Sequence, residues 1–196
     1  MLRDIDQEQI SPDRLKSSKD LVSLVCDGCE GCSSCCRDRG SVIVLDEYDV
    51  RLLKAHFGAS FQDLLSSRLI GLSVIDGVVL PHLNTKSSLD ECVFLNTEGR
   101  CAIHNARPGI CRMFPLGRIW HDDGSFSYFL QEGECPASKK AKIRISKWLG
   151  YDNMKEYEAS ARSYHDALKA LRERCATAPA EEAASLQTEF LKEHFE

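Results

Sequence analysis

The sequence predicts an α+β fold: a small, irregular domain of short strands and helices organised by metal, followed by C-terminal helices. Three observations predict it. Ten cysteines stand in 196 residues, too many for an ordinary core of this size. Short apolar runs separated by Asp-Gly turns fill the middle of the chain. From Met154 onward apolar side chains recur at three- and four-residue intervals, the period of an amphipathic helix.

The first twenty residues are polar and without periodicity, and are expected to form a flexible or loosely docked lead-in. Residues 26–39, dense in Cys, Gly, Ser and charge, read as a loop. Residues 41–45 read as a short strand. Asp46 then offers a helix N-cap with Asp49 in the first turn; Leu45, Tyr48, Leu52 and Leu53 fall at helical spacing, and Gly58 is the stop. A second helix fits residues 61–70, with Phe61, Leu64, Leu65 and Leu69 on one face. Residues 73–80 form a hairpin around Asp76-Gly77. Residues 119–120 and 126–130 form another, turning through Asp122, Asp123 and Gly124. Between the hairpins lies a loop carrying Cys92, Cys101 and Cys111. After Cys135-Pro136 the chain is expected to be helical. Its long helix is marked by Met154, Tyr157, Ala161, Tyr164, Leu168 and Leu171, with Asn153 and Glu156 as a cap pair. Residues 175–181 read as a linker, and 182–195 as a last helix with Leu186, Phe190 and Leu191 inward. The division expected is a lead-in over 1–20, a cysteine-cluster domain over 21–138 and a helical extension over 139–196.

Composition narrows the function classes. With 43% hydrophobic and 28% charged residues the chain can bury a core and is not globally disordered. No run of 18 apolar residues marks a membrane span. The acidic N-terminus lacks the apolar stretch of a secretory signal, so a cytoplasmic, reducing location is expected, where stable disulfides are uncommon. A net charge of −5 speaks against a protein living on nucleic-acid phosphates. No Gly-rich phosphate loop or Gly-x-Ser-x-Gly elbow is present, and the sequence assigns no reaction.

The cysteines carry the chemistry. Five of them, Cys26, Cys29, Cys32, Cys35 and Cys36, fall within eleven positions. A Cys-x-x-Cys interval lets two thiolates reach one ion about 2.3 Å from each sulfur, and Gly28 and Gly31 give the backbone freedom to turn between them. Cys92, Cys101, Cys111 and Cys135 follow at irregular intervals, to be brought in by the fold. Setting Cys26 and Cys175 aside leaves eight thiols, enough for two four-thiolate sites or one full and one open site. On an extended backbone the neighbours Cys35 and Cys36 would point to opposite sides and serve one site each. Zinc favours two separated Cys-x-x-Cys pairs, whereas a run at fixed interval plus a remote Cys-Pro leans towards an iron–sulfur cluster. A thiol redox relay through the vicinal pair is the third class, and it needs an exposed, low-pKa thiolate.

These residues resemble a known family. Cys29-x-x-Cys32-x-x-Cys35-Cys36 is similar to the signature of the CxxCxxCC cysteine-cluster family, named for zinc or iron chelation. A second block resembles the same family: Cys92-Val-Phe-Leu, Cys101-Ala-Ile-His104 and Arg107-Pro-Gly-Ile-Cys111-Arg-Met-Phe-Pro115, with Cys135-Pro136 as the last element. The resemblance spans roughly 24–136 and implies metal ligands at Cys29, Cys32, Cys35, Cys36, Cys92, Cys101, Cys111 and Cys135. Cys26 is extra to the pattern, and His104 stands where the family commonly has Tyr. A flagellin lysine methylase resembles the family in its cysteine region, which implies, as an alternative, an iron–sulfur enzyme.

Other residues are candidates for support. Arg107 and Arg112 bracket Cys111 and would offset the negative charge of a thiolate-bound metal. Pro108 and Pro115 fix that loop, while Phe94, Phe114 and Leu116 would shield the sulfurs. His104 is the best non-thiol ligand or proton relay; His82 and His121 flank the hairpins, and His56, His165 and His194 read as surface positions on helices. Five basic residues in 139–147 read as a solvated helix face. A protein partner, if there is one, would dock there or on the seam of the long helix.

Overall fold

The computed structural model of the chain describes residues 10–25, 33–37, 43–86, 90–135 and 140–196. Cys26, Cys29 and Cys32 lie outside the described residues, as do Ser41, Val42, Pro136 and Lys139. The fold is α+β, with antiparallel strand pairs and C-terminal helices.

Among the described residues β1 (Leu21–Val25) is the first strand, and β2 (Ile43–Val44) leads into α1 (Glu47–Phe57). The N-cap is a capping box: Asp46 accepts the Asp49 N–H at 2.8 Å and Asp49 accepts the Asp46 N–H at 3.3 Å. Gly58 ends the helix at φ 59°. Helix α2 (Phe61–Ser66) is capped in the same way by Ser60 and Asp63. It stops short of the expected residue 70, because Arg68 turns left-handed at φ 58° and Ile70 enters a strand.

Strands β3 (Ile70–Ile75) and β4 (Val78–Leu83) form the expected hairpin, with Ile75 opposite Val78. Both turn residues have positive φ, 48° at Asp76 and 82° at Gly77, as a two-residue hairpin turn requires. β2 extends this sheet on the other side of β4. Strands β5 (Thr85–Lys86) and β6 (Glu91–Cys92) pair next, followed by α3 (Gly109–Met113). The second expected hairpin is β7 (Leu116–Trp120) and β8 (Phe126–Leu130), turning through Gly124 at φ 76°.

The region after Cys135 departs from expectation. Residues 140–144 are strand β9 (Lys140–Arg144), paired antiparallel with β1, and only then does α4 (Ile145–Leu149) begin. Alternation explains it. Ile143, opposite Val22, packs on the core, while Lys142 and Arg144 are exposed. The basic run is therefore an amphipathic strand and the start of a helix, not one solvated helix face. Helix α5 (Met154–Thr177) has Asn153 as its N-cap, accepting the Glu156 N–H at 3.2 Å. It runs through Cys175, so the linker shrinks to Ala178-Pro179 before α6 (Ala180–Phe195).

Two apolar clusters hold these elements. The larger joins α1, α2 and the β3–β4 hairpin to α5 and α6 through Leu53, Leu64, Val78, Tyr164, Leu186 and Phe195. The smaller joins β1, β7, β8 and α4 through Leu24, Leu116, Tyr128 and Ile145. Part of the lead-in is docked: Lys16 and Tyr128 exchange backbone hydrogen bonds of 2.8 and 2.7 Å. Among the described residues, no helix is long and apolar enough to cross a membrane.

Candidate metal centre

Four separate pieces of backbone converge on one cavity of about 60 Å³. A 3-10 turn, Ser34–Cys36, brings Cys35 and Cys36. The end of β6 brings Cys92. A tight loop returns the chain so that Cys101 bridges back to Leu95. Within that loop Asn96 Oδ1 accepts the Glu98 and Arg100 N–H groups at 3.1 and 2.8 Å, and Gly99 adopts φ 75°. Helix α3 brings Cys111.

The geometry corrects one expectation directly. Cys35 and Cys36 lie on a 3-10 turn rather than an extended strand, and their sulfurs are 4.0 Å apart on the lining of the same cavity. Arg37 pairs with the buried Glu91, which ties the turn to β6 beside Cys92. Cys135 is half-buried and does not line this cavity. Cys175, on α5, packs towards α6 with its thiol 3.9 Å from the Ala183 carbonyl, away from the cavity. Among the described residues, no three Cys, His, Asp or Glu side chains already stand close enough to hold an ion.

Four of the cavity thiols sit in surroundings that favour the protonated form. The adjacent Cys35, then burial, push the Cys36 thiol up. Burial pushes up Cys92, Cys101 and Cys111. His104 lines the cavity, and burial together with Arg107, Arg100 and Arg112 holds its pKa below the usual value. Arg100 and Arg107 line the cavity as well. Arg107 was expected there; Arg100 was not, since nothing but its place beside Cys101 marks it. Arg112 plays another part: its guanidinium donates to the Asn105, Arg107 and Leu149 carbonyls, and it stacks 4.9 Å from the Tyr151 ring centre. It braces the loop from behind.

Of the expected shielding residues, Phe94 lines the cavity, whereas Leu116 belongs to the smaller core; Pro108, expected to fix the loop, lines the cavity as well. His82 and His121 bond to Ser73 and Ser127, at 2.9 and 2.8 Å, and do not line it. Two histidines expected at the surface are packed instead: His165 stacks on Trp120 at 3.7 Å, and His194 pairs with Glu47 at 2.9 Å.

One residue outside the cavity governs its far wall. Asp49, 2% exposed, accepts the Gly109 N–H at 2.7 Å. The cap of α1 thereby anchors the first turn of α3, two residues from Cys111. Space is tight there, since a Cβ on Gly109 would come within 2.9 Å of the Tyr157 hydroxyl.

A small α+β fold that gathers cysteines from distant segments around one cavity, with arginines at its edge, has the donor set of a thiolate chelator. The chain belongs to the CxxCxxCC family, whose description is "Putative zinc- or iron-chelating domain" and whose model matches residues 28–136, more than half of the chain. No curated protein and no solved structure matches it significantly.

Proposed function

We propose that this protein chelates a single zinc or iron ion in the cysteine-lined cavity. The observation that carries this reading is the convergence of Cys35, Cys36, Cys92, Cys101 and Cys111 on one cavity, with the first two sulfurs 4.0 Å apart. Four sulfurs about 2.3 Å from a tetrahedral ion stand about 3.8 Å from one another. In a four-iron cluster held by four cysteines each thiolate ends on a different iron, and neighbouring ligand sulfurs stand further apart. The spacing therefore favours two sulfurs on one metal atom.

Cys29 and Cys32 are the nearest donors in sequence to complete the set, and Cys135 is the eighth expected ligand. A four-coordinate ion needs only four of the eight. An ion held by four thiolates carries excess negative charge, which Arg100 and Arg107 are placed to offset. Cys36, Cys92, Cys101 and Cys111 are pushed towards the thiol form, so ligation by them releases protons. Within the vicinal pair, the adjacent Cys35 and burial push the Cys36 thiol up, which speaks against Cys36 as the exposed thiolate of a redox relay.

The test is metal and acid-labile sulfide content of protein purified without oxygen, with an absorption spectrum of the same sample. About one zinc or iron per chain without sulfide is the expected result. Iron with matching sulfide and broad visible absorption would overturn the single-ion reading for a cluster, and open the methyl-transfer alternative. Metal-free protein that takes up neither ion would overturn chelation itself.

A further inference from the structure

Back to back with the thiol cavity lies a second opening. It is a cleft of about 260 Å³ between the start of α1, strand β7 and helix α5. Helix α3 is the wall between the two: Pro108 and Cys111 face the thiols, while Ile110 and Met113 face the cleft. Its volume lies just below the usual range of ligand pockets, about 300–1,000 Å³, which suits only a small molecule. Apolar side chains, including Leu80, Ala161 and Leu168, form much of its lining.

The charged groups of this cleft are unequally satisfied. Asp46 already accepts the Asp49 N–H, Asp49 accepts the Asp46 and Gly109 N–H groups, and Asp76 is paired with Arg172 at 3.0 Å. Arg118 is different. Among the described residues its guanidinium makes one long hydrogen bond, 3.5 Å to the Tyr157 hydroxyl, and no carboxylate stands within ion-pair distance; Asp46 and Asp49 act on it only from further off. It lies over the rings of Trp120 and Phe126, 5.2 and 5.1 Å from their centres. It keeps partial solvent access while lining the cleft. A guanidinium seated on aromatic rings, with one long hydrogen bond and no close ion pair, suits a planar carboxylate. The Tyr164 hydroxyl, occluded in the same wall, also lacks a partner among the described residues. What the cleft has left to offer is hydrogen-bond donors beside an apolar surface.

We propose that this cleft binds a small organic acid, its carboxylate on Arg118 and its apolar body against Leu80, Ala161 and Leu168. Burial holds the Asp46 and Asp49 carboxyls above their usual range, against the downward pull of Arg118 itself. A bare cation finds the carboxylates already engaged. A bare inorganic anion would leave the apolar lining uncovered.

The test is calorimetric titration of the full chain as purified, with isovalerate, acetate and inorganic phosphate as probes. Isovalerate should saturate one site and bind about tenfold or more tighter than acetate or phosphate. Arg118→Gln should weaken isovalerate by about tenfold or more. Arg118→Lys keeps the charge without the fork and should weaken it too. Leu168→Trp narrows the apolar end, leaves Arg118 in place and should also weaken binding. Circular dichroism and metal content on each sample separate loss of the site from loss of the fold. No saturable isovalerate binding by protein that retains its metal would overturn the proposal and leave chelation standing. So would tighter binding of phosphate, or affinity unchanged in folded Arg118 variants.

Discussion

Cys92, Cys101 and Cys111 share one physical condition: burial favours the thiol over the thiolate. An acid whose folded pKa lies above its unfolded value, about 8.5 for cysteine, binds more protons folded than unfolded. Its contribution to stability is fully present below that unfolded value and is lost as pH rises towards the folded one. Metal-free protein is therefore expected to melt at progressively lower temperature above about pH 8.5. Metal-loaded protein should show no such fall, because its ligating sulfurs are already deprotonated. Thermal melts with and without chelator, across that pH range, check it; a flat metal-free curve would mean that the thiols are not held protonated. At this scale the sequence was legible where chemistry is written in residue type. Cys92, Cys101, Cys111, Arg107 and His104 stand out by identity and order. Arg100 did not, because only the Asn96–Gly99 turn brings it onto the cavity. Arg112 looked equivalent to Arg107, yet one step along α3 turns it to the back of the loop.

At the scale of elements, turns and caps were the legible part. Asp76-Gly77 and Asp46/Asp49 encode their geometry in a few adjacent residues, so local physics suffices. Strand β9 was not legible, because its pairing with β1 spans more than a hundred residues of sequence and overrides a locally helix-compatible composition. The same limit hid the second duty of Asp49. Local reading makes it a first-turn residue; the fold adds the hydrogen bond to Gly109 that positions α3. Asp49→Ala strips a buried N–H of its partner and opens the capping box, which is expected to cost about 1–3 kcal/mol. Because α3 carries Cys111, metal affinity should fall as well. Asp49→Asn keeps an oxygen that can accept from Gly109 and should lose less of both. Denaturant melts paired with a competition titration for zinc measure the two effects. Lost stability with unchanged affinity would show that α3 holds its place without this contact.

For the whole molecule the question is what closes the cavity. The larger core runs from the β3–β4 hairpin to α5 and α6, and Cys36, Cys92 and Cys101 lie against it or within it. The helices after residue 153 thus back the site through packing, although none of their side chains lines the thiol cavity. That the cysteines share one cavity could not be read from irregular spacings, since the β5–β6 pair, the Asn96 turn and the Asp49 anchor set those distances. The site and the fold are then one thermodynamic system. An ion bound by the folded chain alone adds about 2.7 kcal/mol when present at a hundredfold over its dissociation constant. At about 2–4 °C per kcal/mol for a chain of this length, chelation should lower the melting temperature by about 5–10 °C. Restoring zinc or iron should reverse the fall. Cys111→Ser, which removes a cavity thiol, should show a smaller difference between loaded and chelated samples than Cys175→Ser, which lies elsewhere. Scanning calorimetry of the three proteins, with and without chelator, makes the comparison; equal metal-dependent shifts in all three would place the ion somewhere other than this cavity.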